Sequence, residues 1–280
     1  MQVLKTIAAM RRWHAKAKRP VVLVPTMGAL HAGHASLIEQ ARKVAGPEGS
    51  VVVSIFVNPT QFGPKEDLGR YPRPWAADRA LCTRLGVDAI FFPEPAEMYA
   101  PDRSTWVVEE SVSQGLCGAS RPGHFRGVAT VVLKLFLITG ADAAIFGRKD
   151  FQQCRVIARM VRDLDVPVRL VWGETVREAD GLALSSRNIY LSPEERAQAP
   201  ALRRGLLAAR AAFRAGEHKA AKLRALVGRE IKKAALGRVD YIEVVDGASL
   251  APTKEVQRGD AIALAVFFGK TRLIDNIELA

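Results

Sequence analysis

Five short runs of apolar residues recur through the first two thirds of the chain, and most are continuous rather than alternating with polar residues. Continuous runs of this length are typical of parallel strands that are covered on both faces. Segments with helical spacing lie between the runs, and this alternation predicts right-handed crossovers and a doubly wound α/β sheet. The runs cover residues 21–24, 51–57, 87–92, 143–146 and 166–171, and the intervening helices are predicted at 33–44, 75–85, 128–138 and 151–163.

The character of the sequence changes after Glu174. Ser192-Pro193-Glu194-Glu195 has the pattern of a capping box with proline at the first helical position, and it predicts one helix that continues to about residue 215. A helix at 217–235 and strands at 239–245, 261–268 and 272–279 follow, with a turn at Asp246-Gly247. We therefore expect two domains, a larger one at residues 1–175 and a smaller α+β domain with an antiparallel sheet at 176–280.

A strand, a turn and a predicted helix follow one another between Pro20 and His34. The first helical N–H groups have no partner within a helix and point outward, so this geometry binds phosphate. His31 and His34 lie on one face of the predicted helix, where both rings could reach one anion. Gly33 leaves room for a ligand to come close. A structural role for the histidines is the alternative.

A zinc site is a second interpretation of the two histidines. The helical pattern of zinc proteases needs histidines at i and i+4 with a glutamate beside the first. This stretch has neither feature. We therefore predict no protein-bound metal here.

Polar residues cluster after four of the five predicted strands. In an open α/β sheet the ligand crevice lies outside the carboxyl ends of the strands. We therefore expect one shared site, although loops are polar in any case. The clusters are Thr26, Met27, His31 and His34; Asn58 to Gln61; Gly147 to Asp150 with Gln152 and Gln153; and Thr175, Val176 and Ser185 to Asn188.

A further polar segment, residues 118–127, precedes a predicted helix. It contains Arg121, His124 and Arg126. These cationic side chains could face an anion, or they could hold a loop by hydrogen bonds. The sequence does not decide between the two.

The net charge and the cysteine content limit which partners and which cellular compartment are expected for this chain. The net charge of +12 indicates affinity for anions, but the basic residues form no block of five or six and are interpreted mainly as a solvated surface. Three scattered cysteines without a Cys-x-x-Cys pair indicate neither a disulfide framework nor a zinc knuckle. No signal peptide or membrane-length apolar segment is evident. We expect a cytoplasmic protein with no nucleic-acid or membrane partner.

Six stretches together resemble the pantothenate synthetase (pantoate–β-alanine ligase) family over nearly the whole chain. The His-x-Gly-His element alone is shared with other nucleotidylyltransferases and class I tRNA synthetases, but the ordered set is highly specific. The stretches are Pro25-Thr-Met-Gly-Ala-Leu-His-Ala-Gly-His34, Ser54-Ile-Phe-Val-Asn-Pro-Thr-Gln-Phe62, Arg70-Tyr-Pro-Arg73, Arg121-Pro-Gly-His-Phe-Arg-Gly127, Phe146-Gly-Arg-Lys-Asp-Phe-Gln-Gln153 and Gly181-Leu-Ala-Leu-Ser-Ser-Arg-Asn188.

The resemblance implies a two-step reaction. Pantoate carboxylate attacks the α-phosphorus of ATP to give pantoyl adenylate and pyrophosphate, and β-alanine then displaces AMP to give pantothenate. It also implies a Mg²⁺-dependent cytoplasmic homodimer. Residues 1–175 would form a Rossmann-like domain that binds ATP and pantoate, and residues 176–280 would form a smaller lid.

The family motifs assign roles around ATP. By the resemblance, His34 is the catalytic histidine, a proton donor, and His31 is its neighbour on the phosphates; both are expected to stabilise transition-state charge. Lys149 would contact the phosphates, Asp150 the ribose and Val176 the adenine. The implied ATP residues are Met27, Gly28, Ala29, Leu30, His31, Ala32, Gly33, His34, Gly147, Arg148, Lys149, Asp150, Val176, Leu184, Ser185, Ser186 and Arg187, of which Ser185, Ser186 and Arg187 would form a second phosphate loop.

The same resemblance assigns the pantoate pocket. Gln61 and Gln153 would hydrogen-bond pantoate, with Gln61 also near β-alanine, because a neutral amide can recognise hydroxyl and carboxylate groups together. Asn58 is a further candidate in this pocket.

Two residues depart from the family pattern. Leu184 stands where many members have methionine, and Arg148 stands where the family usually has glutamate. Arg148 therefore reverses the charge beside Lys149.

Mg²⁺ is expected to bind through ATP phosphates and water, with Asp78 as a faint protein candidate.

Two rival functions are weighed against the ligase. A nucleotidylyltransferase would share His31 and His34 but would not need Gln61 and Gln153. An RNA-binding module, suggested only by the charge of +12, would bind with steep salt dependence.

Overall fold

The computed structural model describes residues 1–64 and 66–280. The chain divides into two compact units. The first contains Met1–Glu109, Arg121–Arg148 and Val156–Glu174; the second contains Glu110–Ser120, Lys149–Arg155 and Thr175–Ala280. Each unit has its own sheet.

All five predicted parallel strands are present in the first unit, together with a short strand at the N-terminus that the sequence did not reveal. Val21 to Val24 are completely buried, which explains why their run is continuous. The strands are β1 (Gln2–Leu4), β2 (Val21–Thr26), β3 (Ser50–Ile55), β4 (Ala89–Phe91), β5 (Ala143–Gly147) and β6 (Arg169–Gly173).

The sheet is doubly wound, as predicted. Its strand order is β1-β4-β3-β2-β5-β6, and the ladders from β2 to β6 are parallel. The chain moves outward from β2 through β3 to β4, and it then returns to the other side of β2 for β5 and β6. Val22 consequently faces Val51 on one side and Ala143 on the other. The direction of winding thus changes between β2 and β5, where open sheets bind ligands.

Seven α-helices lie between these strands along the described chain, three of them between β4 and β5. The four long predicted helices are confirmed, with small shifts at their ends. Helix α1 was not predicted; it buries only Met10 and so lacks a broad apolar face. The helices are α1 (Ile7–His14), α2 (Ala32–Ala45), α3 (Trp75–Arg84), α4 (Pro95–Met98), α5 (Cys117–Ser120), α6 (His124–Thr139) and α7 (Phe151–Asp163).

The C-terminal helices begin at the predicted capping box. The Ser192 hydroxyl accepts from the Glu195 amide (3.2 Å), and the Glu195 carboxylate accepts from the Ser192 amide (2.9 Å). The single helix expected from 192 to 215 is wrong, because it is two helices, α8 (Pro193–Gln198) and α9 (Ala201–Arg214). Pro200 separates them, since it has no amide hydrogen to continue the ladder of α8.

The last helix and the antiparallel sheet complete the second unit. Helix α10 (Ala220–Lys232) begins later than predicted because the preceding residues pair with another segment, with the His218 carbonyl accepting from the Val256 amide (2.7 Å). The three predicted strands form an antiparallel sheet in the order β7-β8-β9, and buried residues alternate along the last of them. They are β7 (Gly237–Val245), β8 (Ala261–Phe268) and β9 (Thr271–Glu278).

The Asp246-Gly247 turn is confirmed. The Asp246 carboxylate accepts from the Ala248 and Ser249 amides. Among the described helices, none has both the length and the apolar character to cross a bilayer.

Candidate active site

The turn between β2 and α2, residues 26–34, is here called the histidine turn. Gly28 and Ala29 both have left-handed backbone conformations, with φ of 82° and 50°. The Thr26 hydroxyl donates to the Ser54 carbonyl (2.7 Å) and accepts from the Gly28 amide (3.2 Å). These bonds fix the exit from β2, and the predicted strand–turn–helix order is confirmed.

The two predicted catalytic histidines cap α2 reciprocally. His31 Nδ1 accepts from the Gly33 amide (3.1 Å), and His34 Nδ1 accepts from the His31 amide (3.3 Å). The ring centroids are 4.1 Å apart. A ring nitrogen that accepts an N–H bond carries no proton, so each neutral ring carries its proton on Nε2. The cap therefore selects one tautomer for both side chains.

The expectation that the first helical amides lack partners is wrong for Gly33, and the turn amides that precede the helix are also bonded to side chains. Side chains within the first unit accept from them, so the macrodipole adds less direct hydrogen bonding to a ligand than the sequence suggested. The engaged amides are those of Gly28 (Thr26 hydroxyl), Ala29 and Leu30 (Asp78 carboxylate), His31 (His34 Nδ1) and Gly33 (His31 Nδ1).

Residues 58–61, after β3, form a second turn that we call the glutamine turn. Asn58 is 1% exposed, and its Nδ2 donates to Gln61 Oε1 (3.1 Å) and to the Gly127 carbonyl (3.2 Å). Its Oδ1 accepts from the Tyr99 hydroxyl (2.8 Å) and the Thr60 hydroxyl (2.9 Å). Both amide hydrogens of Asn58 are thus engaged, and they orient Gln61.

The two turns are in direct contact. Gln61 Nε2 donates to Met27 Sδ at 3.0 Å. The structure therefore brings Met27, Asn58 and Gln61 together with the histidine turn in the first unit.

The segment carrying Arg121 and His124 holds the glutamine turn, which favours the second of the two interpretations left open by the sequence. The Arg121 guanidinium binds Glu66 through Nε (2.7 Å) and Nη2 (2.6 Å), and Nη2 also donates to the Gln61 carbonyl (3.2 Å). His124 Nδ1 lies 2.8 Å from the same carbonyl. Arg126 stacks over Trp106 instead, 4.4 Å from the ring centroid.

Glu66 is stabilised as a carboxylate by this arrangement. Burial raises the pKa of the Glu66 carboxyl, but the hydrogen bonds and charge of Arg121 outweigh burial, so the net pKa lies below its ordinary value. The ion pair fixes the guanidinium in the orientation in which it reaches Gln61.

Gly147 and Arg148 lie at the end of β5 in the first unit. The Arg148 amide donates to the Gly173 carbonyl (2.9 Å), and its guanidinium Nε lies 3.5 Å from Glu174 Oε1. The positive charge of Arg148 therefore has a local acidic partner.

The predicted residues Lys149, Asp150 and Gln153 belong to the second unit. Lys149 Nζ is 3.9 Å from Asp150 Oδ1, and the Lys149 carbonyl accepts from Asn276 Nδ2 (2.8 Å). The neighbouring Gln152 is buried and holds the segment before α5, since it donates to the carbonyls of Val112 (2.9 Å) and Gly115 (2.7 Å). Gln152 is therefore structural.

Val176 and Leu184 also lie in the second unit and are paired. The Leu184 amide donates to the Val176 carbonyl (3.0 Å). Arg177, which the sequence analysis did not identify, anchors this loop through a two-pronged ion pair with buried Asp275 (2.7 and 2.8 Å). These partners are far apart in sequence, so no local pattern could have revealed them.

The remaining predicted residues form a short 3-10 turn in the second unit. Ser185 caps Ser186–Tyr190 by accepting from the Arg187 amide at 3.2 Å. Asn188 Nδ2 donates to the Ala183 carbonyl (3.1 Å), which ties the turn to the preceding loop. Hydroxyl and guanidinium groups on a capped turn are suited to binding phosphate oxygens.

The described residues offer no dedicated metal cage. Within 1–64 and 66–280, no group of three or more histidine, cysteine or acidic side chains is arranged to hold an ion. Asp78, the faint metal candidate, accepts one backbone amide on each carboxylate oxygen.

Comparisons with known proteins agree with these motifs over the full chain. The family model for pantoate-beta-alanine ligase matches residues 2–278. A pantothenate synthetase of Desulfovibrio desulfuricans is 53% identical over 284 residues, covering 100% of this chain and 99% of that protein.

Solved structures give the same result. The crystal structure of pantothenate synthetase from Thermus thermophilus is 46% identical, with a TM-score of 0.94 and coverage of 100% and 99% of the two chains. A pantoate-beta-alanine ligase from Francisella tularensis, complexed with beta-gamma ATP and β-alanine, is 31% identical, with a TM-score of 0.80 and coverage of 99% and 97%.

Proposed function

This chain belongs to the pantoate–β-alanine ligase family, and we propose how its residues carry out the family's reaction. The enzyme condenses pantoate with β-alanine, using ATP and passing through pantoyl adenylate, to give pantothenate, AMP and pyrophosphate. The observation that carries the residue assignment is the reciprocal histidine cap, which leaves the proton of each neutral ring on Nε2.

In the first step a pantoate carboxylate oxygen attacks the α-phosphorus of ATP and pyrophosphate leaves. Negative charge on the phosphate oxygens shifts as the bond breaks, and fixed donors accelerate such displacements mainly by position and electrostatics. We assign that task to the Nε2–H groups of His31 and His34, with His34 as the proton donor. Both Nδ1 atoms are engaged as acceptors, so neither ring serves as a nucleophile.

In the histidine turn we assign the donors for the ligand to the imidazoles. Its amides at Gly28, Ala29, Leu30 and Gly33 are bonded to side chains of the same unit. The proposed ATP lining along Met27–His34 therefore acts by shape, with Gly33 allowing close approach, while the rings act by hydrogen bonding.

Gln61 and Gln153 are proposed as the groups that bind pantoate, with Gln61 also near β-alanine. Asn58 acts on the same pocket indirectly, because its amide hydrogens are used on Gln61 and Gly127. In the second step the β-alanine amine attacks the acyl carbon, loses a proton and displaces AMP.

The remaining assignments concern ATP. We propose that Lys149 contacts the phosphates, Asp150 the ribose and Val176 the adenine. Leu184 is proposed to line the ATP site, and the capped Ser185–Arg187 turn to bind β- and γ-phosphate oxygens. Gly147 and Arg148 line the same nucleotide, with Glu174 compensating the charge of Arg148.

The proposal also covers the metal ion, the oligomeric state and the cellular compartment. Because the described residues form no metal cage, Mg²⁺ enters with the ATP phosphates as part of the substrate. The three cysteines are buried thiols, consistent with a reducing cytoplasm. A homodimer is carried over from the family resemblance, and light scattering would test it.

Product analysis tests the overall reaction against its rival. With MgATP and pantoate, pantothenate formation and sustained AMP release should require β-alanine. AMP release that ignores the amine during turnover would instead indicate a nucleotidylyltransferase. Tight RNA binding at physiological salt would revive the RNA-binding alternative.

Two His34 variants separate its cap from its proposed chemistry. In His34→Asn the amide oxygen can replace Nδ1 in the cap, so the unfolding midpoint should change little, while adenylation should slow by about a hundredfold or more. His34→Gln places an amide near the Nε2 position and should lose stability but retain more activity than His34→Asn. Pyrophosphate release and thermal unfolding measure both effects. A near-normal rate for His34→Asn would remove the assignment.

A further inference from the structure

Asp78, on the first turn of α3, is a buried carboxylate whose oxygens both bind the histidine turn. Oδ2 accepts from the Ala29 amide at 2.9 Å, and Oδ1 accepts from the Leu30 amide at 2.7 Å. The side chain is 2% exposed. Within 1–64 and 66–280 no lysine, arginine or histidine forms an ion pair with it, so the two amides are its compensation.

The backbone held by this carboxylate is an unfavourable one. Ala29 has φ of 50°, a left-handed conformation that non-glycine residues rarely adopt, and Gly28 before it has φ of 82°. Charge-assisted hydrogen bonds to two consecutive amides oppose relaxation of these residues toward extended backbone. The clamp therefore acts where the chain reverses toward His31.

The close approach of the Asp78 carboxylate also explains why position 28 is a glycine. A Cβ atom at position 28 would lie 3.0 Å from Asp78 Oδ2 and 3.1 Å from Ile55 Cγ2. The absence of a side chain at position 28 therefore leaves room for the Asp78 carboxylate. Its bonds to the Ala29 and Leu30 amides fix the position of the residues just before α2.

We infer that Asp78 is a positioning residue for nucleotide binding: its carboxylate clamps Gly28–Leu30 and thereby fixes where His31 and His34 present their rings. This inference rests on the proposed role of the histidine turn. The same two amide bonds leave Asp78 better suited to this task than to metal binding, since both oxygens already face positive N–H dipoles.

The test combines Asp78→Asn with Ala29→Gly. An asparagine amide can accept one of the two N–H bonds but presents its own N–H groups to the other amide. Calorimetric binding of a non-hydrolysable ATP analogue should therefore weaken about tenfold or more, while pantoate binding stays within about twofold. Ala29→Gly adopts the left-handed conformation without a clamp, so adding it should recover about threefold or more of the lost ATP affinity.

Asp88→Asn is the matched control. The Asp88 carboxylate also accepts a backbone amide, that of Val51 (2.7 Å), but near the amino end of β3. This variant should lower the thermal midpoint and leave ATP-analogue affinity within about twofold of the parent, as for a merely structural carboxylate.

These binding measurements can contradict the inference about Asp78 in several ways. Unchanged ATP affinity in Asp78→Asn, equal losses for ATP and pantoate, or no recovery on adding Ala29→Gly would overturn it. If Asp78→Asn does not fold, the double variant must fold and bind the analogue, and its failure would also overturn the inference. Pantothenate formation by the unmodified enzyme tests the proposed function separately.

Discussion

The histidine turn and the glutamine turn follow adjacent strands of one sheet, but they are held by groups of opposite charge. A carboxylate, Asp78, accepts backbone amides in the first turn. Two cationic or hydrogen-donating side chains, Arg121 and His124, bind the Gln61 carbonyl in the second. One turn is fixed through its N–H groups and the other through a C=O group.

This difference bears on which atoms of each turn we propose for ligand recognition. Where the anchor is an acceptor, the backbone amides of Ala29 and Leu30 are engaged, and the histidine rings are the proposed donors. Where the anchors are donors, the Gln61 backbone is fixed and its side-chain amide is oriented by Asn58. In both turns the backbone is stabilised internally, and the proposed recognition falls to side chains held by it.

The largest effect is expected from filling the space between α6 and the glutamine turn. In Gly127→Ala the new Cβ would overlap the Thr60 carbonyl and lie 2.8 Å from the Gln61 amide nitrogen. The free energy of unfolding should fall by about 2–3 kcal/mol, and KM for pantoate should rise more than KM for ATP. Urea unfolding and initial rates measure these changes.

Gly69→Ala is the control for that substitution. Nothing lies within 4 Å of a Cβ built at position 69, so stability and both KM values should stay near those of the parent. If Gly127→Ala raised both KM values equally, the separate anchoring of the two turns would be contradicted.

A smaller effect, on the order of 1 kcal/mol, is expected in the pH dependence of stability. The folded pKa of Glu66 is lowered, so its contribution is present above its ordinary value of 4.5 and is lost as pH falls through the folded pKa. The folded pKa of Asp78 is raised by burial, with the two amide bonds only partly offsetting it. Its contribution therefore has the opposite sign, and stability declines as pH rises from about 3.8 through the folded pKa.

Glu66→Gln and Asp78→Asn should alter the pH profile in opposite directions. Compared with Glu66→Gln, the parent should lose stability as the pH falls. Compared with Asp78→Asn, the parent should lose stability as the pH rises toward neutral. Denaturant unfolding between pH 3 and 7 would show this. Profiles that shift in the same direction would contradict the opposed electrostatics of the two anchors.

The parallel sheet was predictable because each central strand is buried along nearly its whole length. Val21 to Val24 and Val51 to Val53 are fully buried, so their sequence is apolar at every position. Strand β1 could not be found in this way, since it has three residues of which only Leu4 is buried. Pro200 was visible in the sequence, but the helical pattern resumes directly after it and concealed the break.

The candidate site was predictable only where its contacts are local. His31 and His34 are three residues apart, and their reciprocal cap is a property of that spacing. Asp78 lies 48 positions from Leu30, and Asp275 lies 98 positions from Arg177. Such partners are set by the topology of the chain, so sequence spacing could suggest the chemical groups of the site but not what holds them.

The smallest effect is expected at the contact that links the two turns, where Gln61 Nε2 donates to Met27 Sδ. Met27→Leu conserves most of the side-chain volume but removes the sulfur acceptor, which is a weak one. KM for pantoate should rise about two- to fivefold, with little change in KM for ATP, because the loss affects one hydrogen bond of the Gln61 side chain. Met160→Leu, the same substitution at a buried position in α7, should leave both KM values unchanged. If Met27→Leu instead raised both KM values equally, the thioether would serve both turns, and the two would have to be regarded as one recognition element.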